Sequence, residues 1–262
     1  YPTRTATLRD TMEAWMDGAG LQPWHHSWNA YTSEDRNISG RLPGLLAEVR
    51  TYGTCGHYDS VDNSPGADDN GTGTIGVMEA ASVLGQYQFA KSIRFLAFDL
   101  EEIGLQGSRH YVNNEIPAWE DFQGLLNLEM IGYKDTAKFT QQTPNGFNIL
   151  FPAAYQQIEA DSFRGNFLTN VANVNSNGLR ADFDACAAQY VPDLRVISLA
   201  VAGNGQIAPD LRRSDHARFW DAGYEALMLT DGADLRNPYY HSPADTLGTL
   251  DRAFFLQNIK AV

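Results

Sequence analysis

Segment after segment of this chain runs into residues that bind metals. GHYDS carries His57 and Asp59, PGADDNGTG carries Asp68, Asp69 and Asn70, and FDLEEIG carries Glu101 and Glu102. LNLEMIG ends in Glu129, and YYHSPADT contains His241. A ligand at the end of an apolar strand is useful where strand ends open onto a crevice. In open α/β sheets that crevice lies beyond the carboxyl ends of the strands. The pattern therefore asks for a fold that brings several strand ends to one place.

The rest of the chain supplies such strands, separated by helices. Leu8, Met12, Trp15 and Met16 stand at helical spacing before Gly18 and Gly20, which predicts a helix over 5–17. Residues 23–31 alternate, with Trp24, His26 and Trp28, and read as a strand that also holds His25. The polar stretch 33–43 reads as a loop. Residues 44–49 and 51–56 read as strands, the second leading into His57. Ile75, Met78, Ala81 and Leu84 predict a helix over 72–87, and SIRFLAFDL a buried strand over 92–100. Beyond these the sequence predicts a helix over 104–113, a strand over 125–129, and helical stretches at 147–160 and 182–190. A strand over 196–202 and a helix over 215–221 capped by Ser214 follow. The last elements are a strand over 226–230 and a helix from about 250. Alternating strands and helices imply a mostly parallel sheet covered on both faces. With no repeat, low-complexity tract or linker, residues 1–262 read as one catalytic domain.

Composition narrows the partners. The net charge of −13 over 262 residues leaves no basic face for phosphate, which argues against nucleic acid. No apolar run reaches the length of a membrane span. The two cysteines, Cys55 and Cys186, fit no metal or redox spacing. Cys55, in an apolar strand, reads as a buried free thiol, with a disulfide to Cys186 left open. The chain opens Tyr1-Pro2, as a processed or trimmed product would.

His57, Asp69, Glu102, Glu129 and His241 can supply two divalent metals if Asp69 bridges. His57, Asp69 and Glu129 would serve one metal, and Asp69, Glu102 and His241 the other. Two dications, three carboxylates and one bridging hydroxide sum to zero charge, which suits a low-dielectric pocket. Mixed nitrogen and oxygen ligands fit catalytic Zn2+, with Co2+ or Mn2+ as substitutes, better than calcium. Asp59 can accept the proton on the other nitrogen of the His57 ring and fix its tautomer. Glu101, beside the ligand Glu102, can take the proton of a metal-activated water and return it to a leaving amine. Tyr240 can donate to the developing oxyanion. Taken singly, an acidic pair after a strand reads as a helix first turn, and a lone histidine as an ordinary polar contact. Together they make a site. His25, His26, His110 and His216 stay outside it, with His216 expected near the pocket rim.

As a set, GHYDS, PGADDNGTG, EEIGLQGS, LNLEMIG, SDHARFWDAGYEAL and YYHSPADT resemble the co-catalytic zinc aminopeptidases of metallopeptidase family twenty-eight, the bacterial leucyl type among them. The similarity runs from about residue 40 to the end. It implies an eight-stranded mixed sheet between helices, two zinc ions, and release of N-terminal residues from peptides. By that resemblance His57, Asp69, Glu102, Glu129 and His241 are ligands, Glu101 is the general base and Tyr240 the oxyanion donor. It also implies a secreted or periplasmic protein. Two positions depart from the family pattern: Glu129 where aspartate is common, and Arg218 where proline is. In related co-catalytic zinc hydrolases a glutamate at this place often accompanies carboxypeptidase, dipeptidase or deacylase activity. A mono-zinc glutaminyl cyclase shares the implied fold, but His57 and Glu129 would complete a second metal site. A non-catalytic binding domain on this fold would be expected to lose ligands, and none is lost here.

Overall fold

The computed structural model describes residues 2–27, 36–46 and 50–262, so parts of the expected strands 23–31 and 44–49 and of the expected loop 33–43 lie outside the described residues. Eight strands form one sheet: β1 (Gln22–Ser27), β2 (Arg36–Leu42), β3 (Arg50–His57), β4 (Ser92–Phe98), β5 (Asp121–Glu129), β6 (Leu168–Asn173), β7 (Val196–Val201) and β8 (Ala226–Thr230). Their spatial order is β1-β2-β4-β3-β5-β8-β6-β7. The central run β4-β3-β5-β8 is parallel throughout, as is β6-β7, while β1-β2, β2-β4 and β6-β8 are antiparallel. This is the mixed, mostly parallel eight-stranded sheet that the family resemblance implied.

The helices are α1 (Pro2–Gly18), α2 (Gly71–Leu84), α3 (Gln106–Asn114), α4 (Phe147–Leu150), α5 (Pro152–Ala160), α6 (Asn177–Tyr190), α7 (His216–Asp221) and α8 (Arg252–Ala261). They cover both faces of the sheet. On one face Met12 and Met16 of α1, Met78 of α2, Phe183 of α6 and Phe254 of α8 meet Phe95, Leu128 and Leu229. On the other, Tyr111 of α3, Ile158 of α5 and Phe219 and Trp220 of α7 meet Leu96, Phe98, Leu125 and Met228. Successive strand residues thus enter opposite cores. That is why the central strands read as unbroken apolar runs rather than alternating ones.

Several expectations need correction. Residues 36–42 are a strand, not a loop, because their polar groups pair with β1 and β4 and Ile38 fills the core. Residues 44–46 are not a strand; Leu45 and Leu46 instead bond by their N–H groups to the carbonyls of Phe89 and Ala90. β6 was not anticipated, since LTNVAN mixes polar and apolar residues, yet Asn170 bonds Asp184 of α6 and Val171 is buried. The helical stretch 147–160 is split at Phe151, where Pro152 begins a new helix. β5 starts four residues earlier than the expected 125, and α6 begins at Asn177 rather than 182. Ser214 does not cap α7; Asp215 occupies the cap position without a side-chain cap bond. Cys55 and Cys186 are both free, the first buried and the second exposed.

His216 is buried rather than at the pocket rim. Its Nε2 lies 3.0 Å from the Leu211 carbonyl, its ring stands edge-on to Trp220, and its buried Nδ1 has no partner. Protonation would place an unsatisfied N–H in the core, so burial, against the pull of that carbonyl, holds the imidazole down at about 4. A depressed histidine stabilises the fold above its unfolded value of 6.5 and loses that stability as pH falls towards 4. Relative to His216→Gln, the natural chain should lose about 2 kcal/mol between pH 7 and pH 5. Denaturant unfolding of both proteins at the two pH values checks this; parallel losses would refute it.

Candidate active site

The parallel run β4-β3-β5-β8 brings the sequence-predicted residues together. His57 is the last residue of β3 and Glu129 the last of β5; Glu101 and Glu102 follow β4 after a two-residue turn. Asp69 stands in the loop between β3 and α2, and His241 in the loop after β8. The chain turns abruptly at these ends: Leu100, Met130 and His241 have φ of 58°, 49° and 53°. Non-glycine residues adopt that region only where surrounding contacts compel it. For Met130 one such contact is its N–H bond to Asn70 Oδ1.

The side chains converge as two groups: His57, Glu101 and Glu129, and Asp69, Glu102 and His241, each with candidate ligand atoms within 4.8 Å of one another. Asp69 joins them. Its Oδ1 lies 3.4 Å from Nε2 of His57 and its Oδ2 3.0 Å from Nε2 of His241. His57 Nε2 also faces Glu129 at 3.5 Å and Glu101 at 4.0 Å, while His241 Nε2 faces Glu102 at 3.1 Å. Glu101 is thus nearest the His57 half, at the longest of these distances. The Asp69–Asn70 peptide bond is cis.

So much acid in so little water perturbs several of these groups. Burial raises Glu101 well above the ordinary carboxylate range, opposed by His57 and reinforced by Glu129 and Asp215. Burial, then the charge of Asp69, lifts Glu102 to about 7. Asp69 goes the other way: against the effect of its own burial, hydrogen bonds from His241 and His57 hold it at about 2. Burial works to lower His57, but Glu101 and Glu129 outweigh it and raise the imidazole well above 6.5. Cations at this point would relieve that concentration of negative charge. The donor set fits them: two imidazole Nε2 atoms point among the carboxylates, and the buried Oε1 of Glu102 accepts no hydrogen bond.

A surrounding layer fixes these groups. Asp59 Oδ1 lies 3.3 Å from Nδ1 of His57 and accepts the Glu101 N–H, while its Oδ2 accepts that of Glu102. One carboxylate therefore orients a histidine and both glutamates, where the sequence suggested the histidine alone. Asp68 and Asn70, read from the sequence as ligand-type residues, face the scaffold. Asp68 accepts the Gly132 N–H and the Asn237 side chain; Asn70 accepts from Gly73 and Met130 and donates to Leu128. Asp245 accepts the N–H groups of Asp68 and Asp69. Ser214 donates to Glu129 at 2.7 Å, and Asp215, buried beside it, is pushed up to about 7 by its burial. The quoted motifs SDHARFW and YYHSPADT contained Ser214, Asp215 and Asp245, but nothing in their spacing told which faced the centre. Arg218, the second departure from the family pattern, donates to the Gly104 carbonyl and ties α7 to the turn after Glu102.

Tyr240 stacks on the His241 ring, centroids 3.7 Å apart, and accepts a hydrogen bond from Arg213, which is also paired with Asp234. With Arg213 donating into the phenolic oxygen, the hydroxyl proton is free to point elsewhere. Burial and the charge of Asp69 raise its pKa against the opposing charge of Arg213, so it stays a donor. Beside Glu129 and Tyr240 opens a cavity. Its walls are mostly apolar, with Phe147, Ile158, Phe167, Val171, Leu199 and Met228, and Arg213 and Asp234 are among its polar lining. The cluster can thus hold divalent metal, move a proton at Glu101 and donate one from Tyr240, next to a pocket for an apolar group.

Comparison with known proteins places the chain among relatives of known family. The profile of Peptidase family M28 matches residues 37–262. Aminopeptidase YwaD of Bacillus subtilis is 29% identical over 226 residues, covering 83% of this chain and 41% of that protein. Among solved structures, a zinc aminopeptidase from Bacillus subtilis superposes with a TM-score of 0.64 at 27% identity, over 89% of this chain and 50% of that one. A glutaminyl cyclase from Porphyromonas gingivalis shares the fold, with a TM-score of 0.66 at 17% identity over 100% of this chain and 88% of its own. The chain spans 38% to 63% of the length of the curated relatives it matches over most of its own length. With a family profile covering both halves of the candidate centre, the chain belongs to Peptidase family M28.

Proposed function

We propose that this chain is a di-zinc exopeptidase that removes N-terminal residues from peptides. The observation that carries the reading is the placing of two ligand groups around Asp69, with an apolar pocket at their edge. His57, Asp69 and Glu129 would hold one metal, and Asp69, Glu102 and His241 the other. Bound zinc would lower the pKa of a water to about 7 and polarise the scissile carbonyl. Glu101, buried and already proton-seeking, takes the proton of the attacking water and passes it to the departing amine. Tyr240 donates to the oxygen that gains charge, with Arg213 holding its ring and oxygen in place. The side chain of the N-terminal residue enters the apolar pocket, and its amino group meets Glu129 at the pocket wall.

The cyclase reading has one supporting observation: the fold shared with the glutaminyl cyclase extends over the whole of this chain and most of that one. The His57–Glu129 group speaks for a second metal and so for hydrolysis. A mass-spectrometric time course separates the two, using an unblocked peptide, its N-acetylated twin and a peptide beginning with glutamine, with and without chelator. Chelator-sensitive shortening from the amino end of unblocked peptides only is the expected result. Loss of ammonia from the glutaminyl peptide without shortening would establish the cyclase. Shortening from the carboxyl end, or cleavage of the blocked twin, would assign Glu129 to a carboxypeptidase or deacylase.

Two substitutions probe the assigned roles. Glu101→Gln should keep bound zinc, measured by elemental analysis, and lower kcat by roughly 100-fold or more; near-normal turnover would remove Glu101 as the base. Thr169→Phe, which adds bulk to the pocket wall, should lower kcat/KM for leucyl relative to alanyl peptides by roughly 10-fold or more. Equal effects on both would place the side chain elsewhere.

A further inference from the structure

A line of buried side chains runs behind Glu129, and the proposed chemistry does not use it. Cys55 of β3 and Asn127 of β5 face each other across the parallel pair. Cys55 Sγ lies 2.9 Å from Asn127 Oδ1, Asn127 Nδ2 lies 2.7 Å from Ser214 Oγ, and Ser214 Oγ lies 2.7 Å from Glu129 Oε2. Cys55, Asn127 and Ser214 are each fully buried at 0% exposure, so water has no route to substitute for a missing partner.

The chemistry of the groups sets the direction of every bond. A thiol is a donor with one proton, so Asn127 presents its carbonyl oxygen to Cys55. The amide NH2 of Asn127 must then face Ser214 and donate to it. The single hydroxyl proton of Ser214 is left to point at Glu129. That bond fixes which way the Glu129 carboxylate faces. Glu129 also carries one more rotatable bond than the aspartate common at this place, and that freedom is lost on binding metal unless something has already removed it.

We propose that Cys55, Asn127 and Ser214 are positioning residues that hold the Glu129 carboxylate in one orientation, and so set the zinc affinity of the His57–Glu129 half of the centre without setting that of the other half. The proposal rests on the reading of Glu129 as a ligand. It assigns a role to a thiol two residues from His57 that the sequence read only as a buried free thiol. Partners that orient ligands in this way change metal affinity by roughly 10- to 100-fold when removed.

The test is an equilibrium zinc titration of the metal-stripped full chain against a competing chromophoric chelator. It starts with the natural sequence, and the constant belonging to the His57 half is identified as the one that His57→Ala abolishes. Asn127→Leu, close in volume, should weaken that constant by roughly 10- to 100-fold and leave the other unchanged. Cys55→Ser keeps a donor and should match the natural protein, whereas Cys55→Ala should weaken the same constant; this pair decides the matter if Asn127→Leu fails to fold. Two unchanged constants in Asn127→Leu would overturn the relay. So would equal weakening of both with a lowered Tm of the metal-free protein, the mark of a merely structural role, or identical behaviour of Cys55→Ser and Cys55→Ala. Fewer than two zinc ions bound by the natural chain would overturn the two-metal reading, and the relay with it. Two ions bound, with no split in the variants, would overturn the relay alone.

Discussion

The turn Asp68-Asp69-Asn70 is the fastening on which the rest of the centre depends. A parallel sheet leaves the backbone groups of its strand ends without ladder partners, and buried backbone groups must be paired. Asn70 pairs three of them, reaching the start of α2 and both sides of the β5 end, and Asp68 pairs the Gly132 N–H. Asp245, from the far end of the chain, accepts from the turn itself. The approach is close enough that a Cβ on Gly56 would lie 2.8 Å from the Gly73 carbonyl carbon, so strand β3 and helix α2 meet there backbone to backbone. Asp69 is left in the middle, with one oxygen for each histidine.

That arrangement concentrates acid where water is scarce, and it is held by two different means. Donors from the scaffold spread the charge of Asp59, which receives the Glu101 and Glu102 amides, and of Glu129, which receives Ser214. At Glu101, Glu102 and Asp215 burial instead raises the carboxyl above its usual range. The first set is held in place by its donors, and the second is poised to exchange protons or to await a cation. A site of this kind separates binding from proton transfer by the wiring of each carboxylate, since the side chains themselves are chemically alike.

The neighbourhood of Glu129 shows how local sequence and distant packing combine. Glu129 ends an apolar strand, which is legible in LNLEMIG. Its hydrogen-bond donor is on the segment before α7, and the residue orienting that donor is two positions earlier on its own strand. Asn127 reads from the sequence as one polar residue in an apolar run. Only the pairing of β5 with β3 sets it opposite Cys55, and only the packing of α7 sets it against Ser214. The same holds for Tyr240, whose oxyanion role could be suggested from its place beside His241. The donor into its oxygen, Arg213, comes from the loop before α7.

By itself the sequence determined the central strands, because residues that enter two cores in alternation must be apolar at nearly every position. It also determined which ends of those strands carry the converging histidines and carboxylates, since a histidine or glutamate directly after such a run has nowhere to go but the crevice. The local signal failed where stability came from partners. β2 and β6 are strands because neighbours satisfy their polar groups, and their mixed residues show no period of their own. The tertiary structure alone decided that Asp68 and Asn70 fasten rather than bind, that Ser214 serves Glu129 rather than α7, and that His216 is sealed in the core. The reason is physical: a polar side chain carries the same chemistry wherever it stands, and what it does is set by the donor, acceptor or charge that folding brings to it.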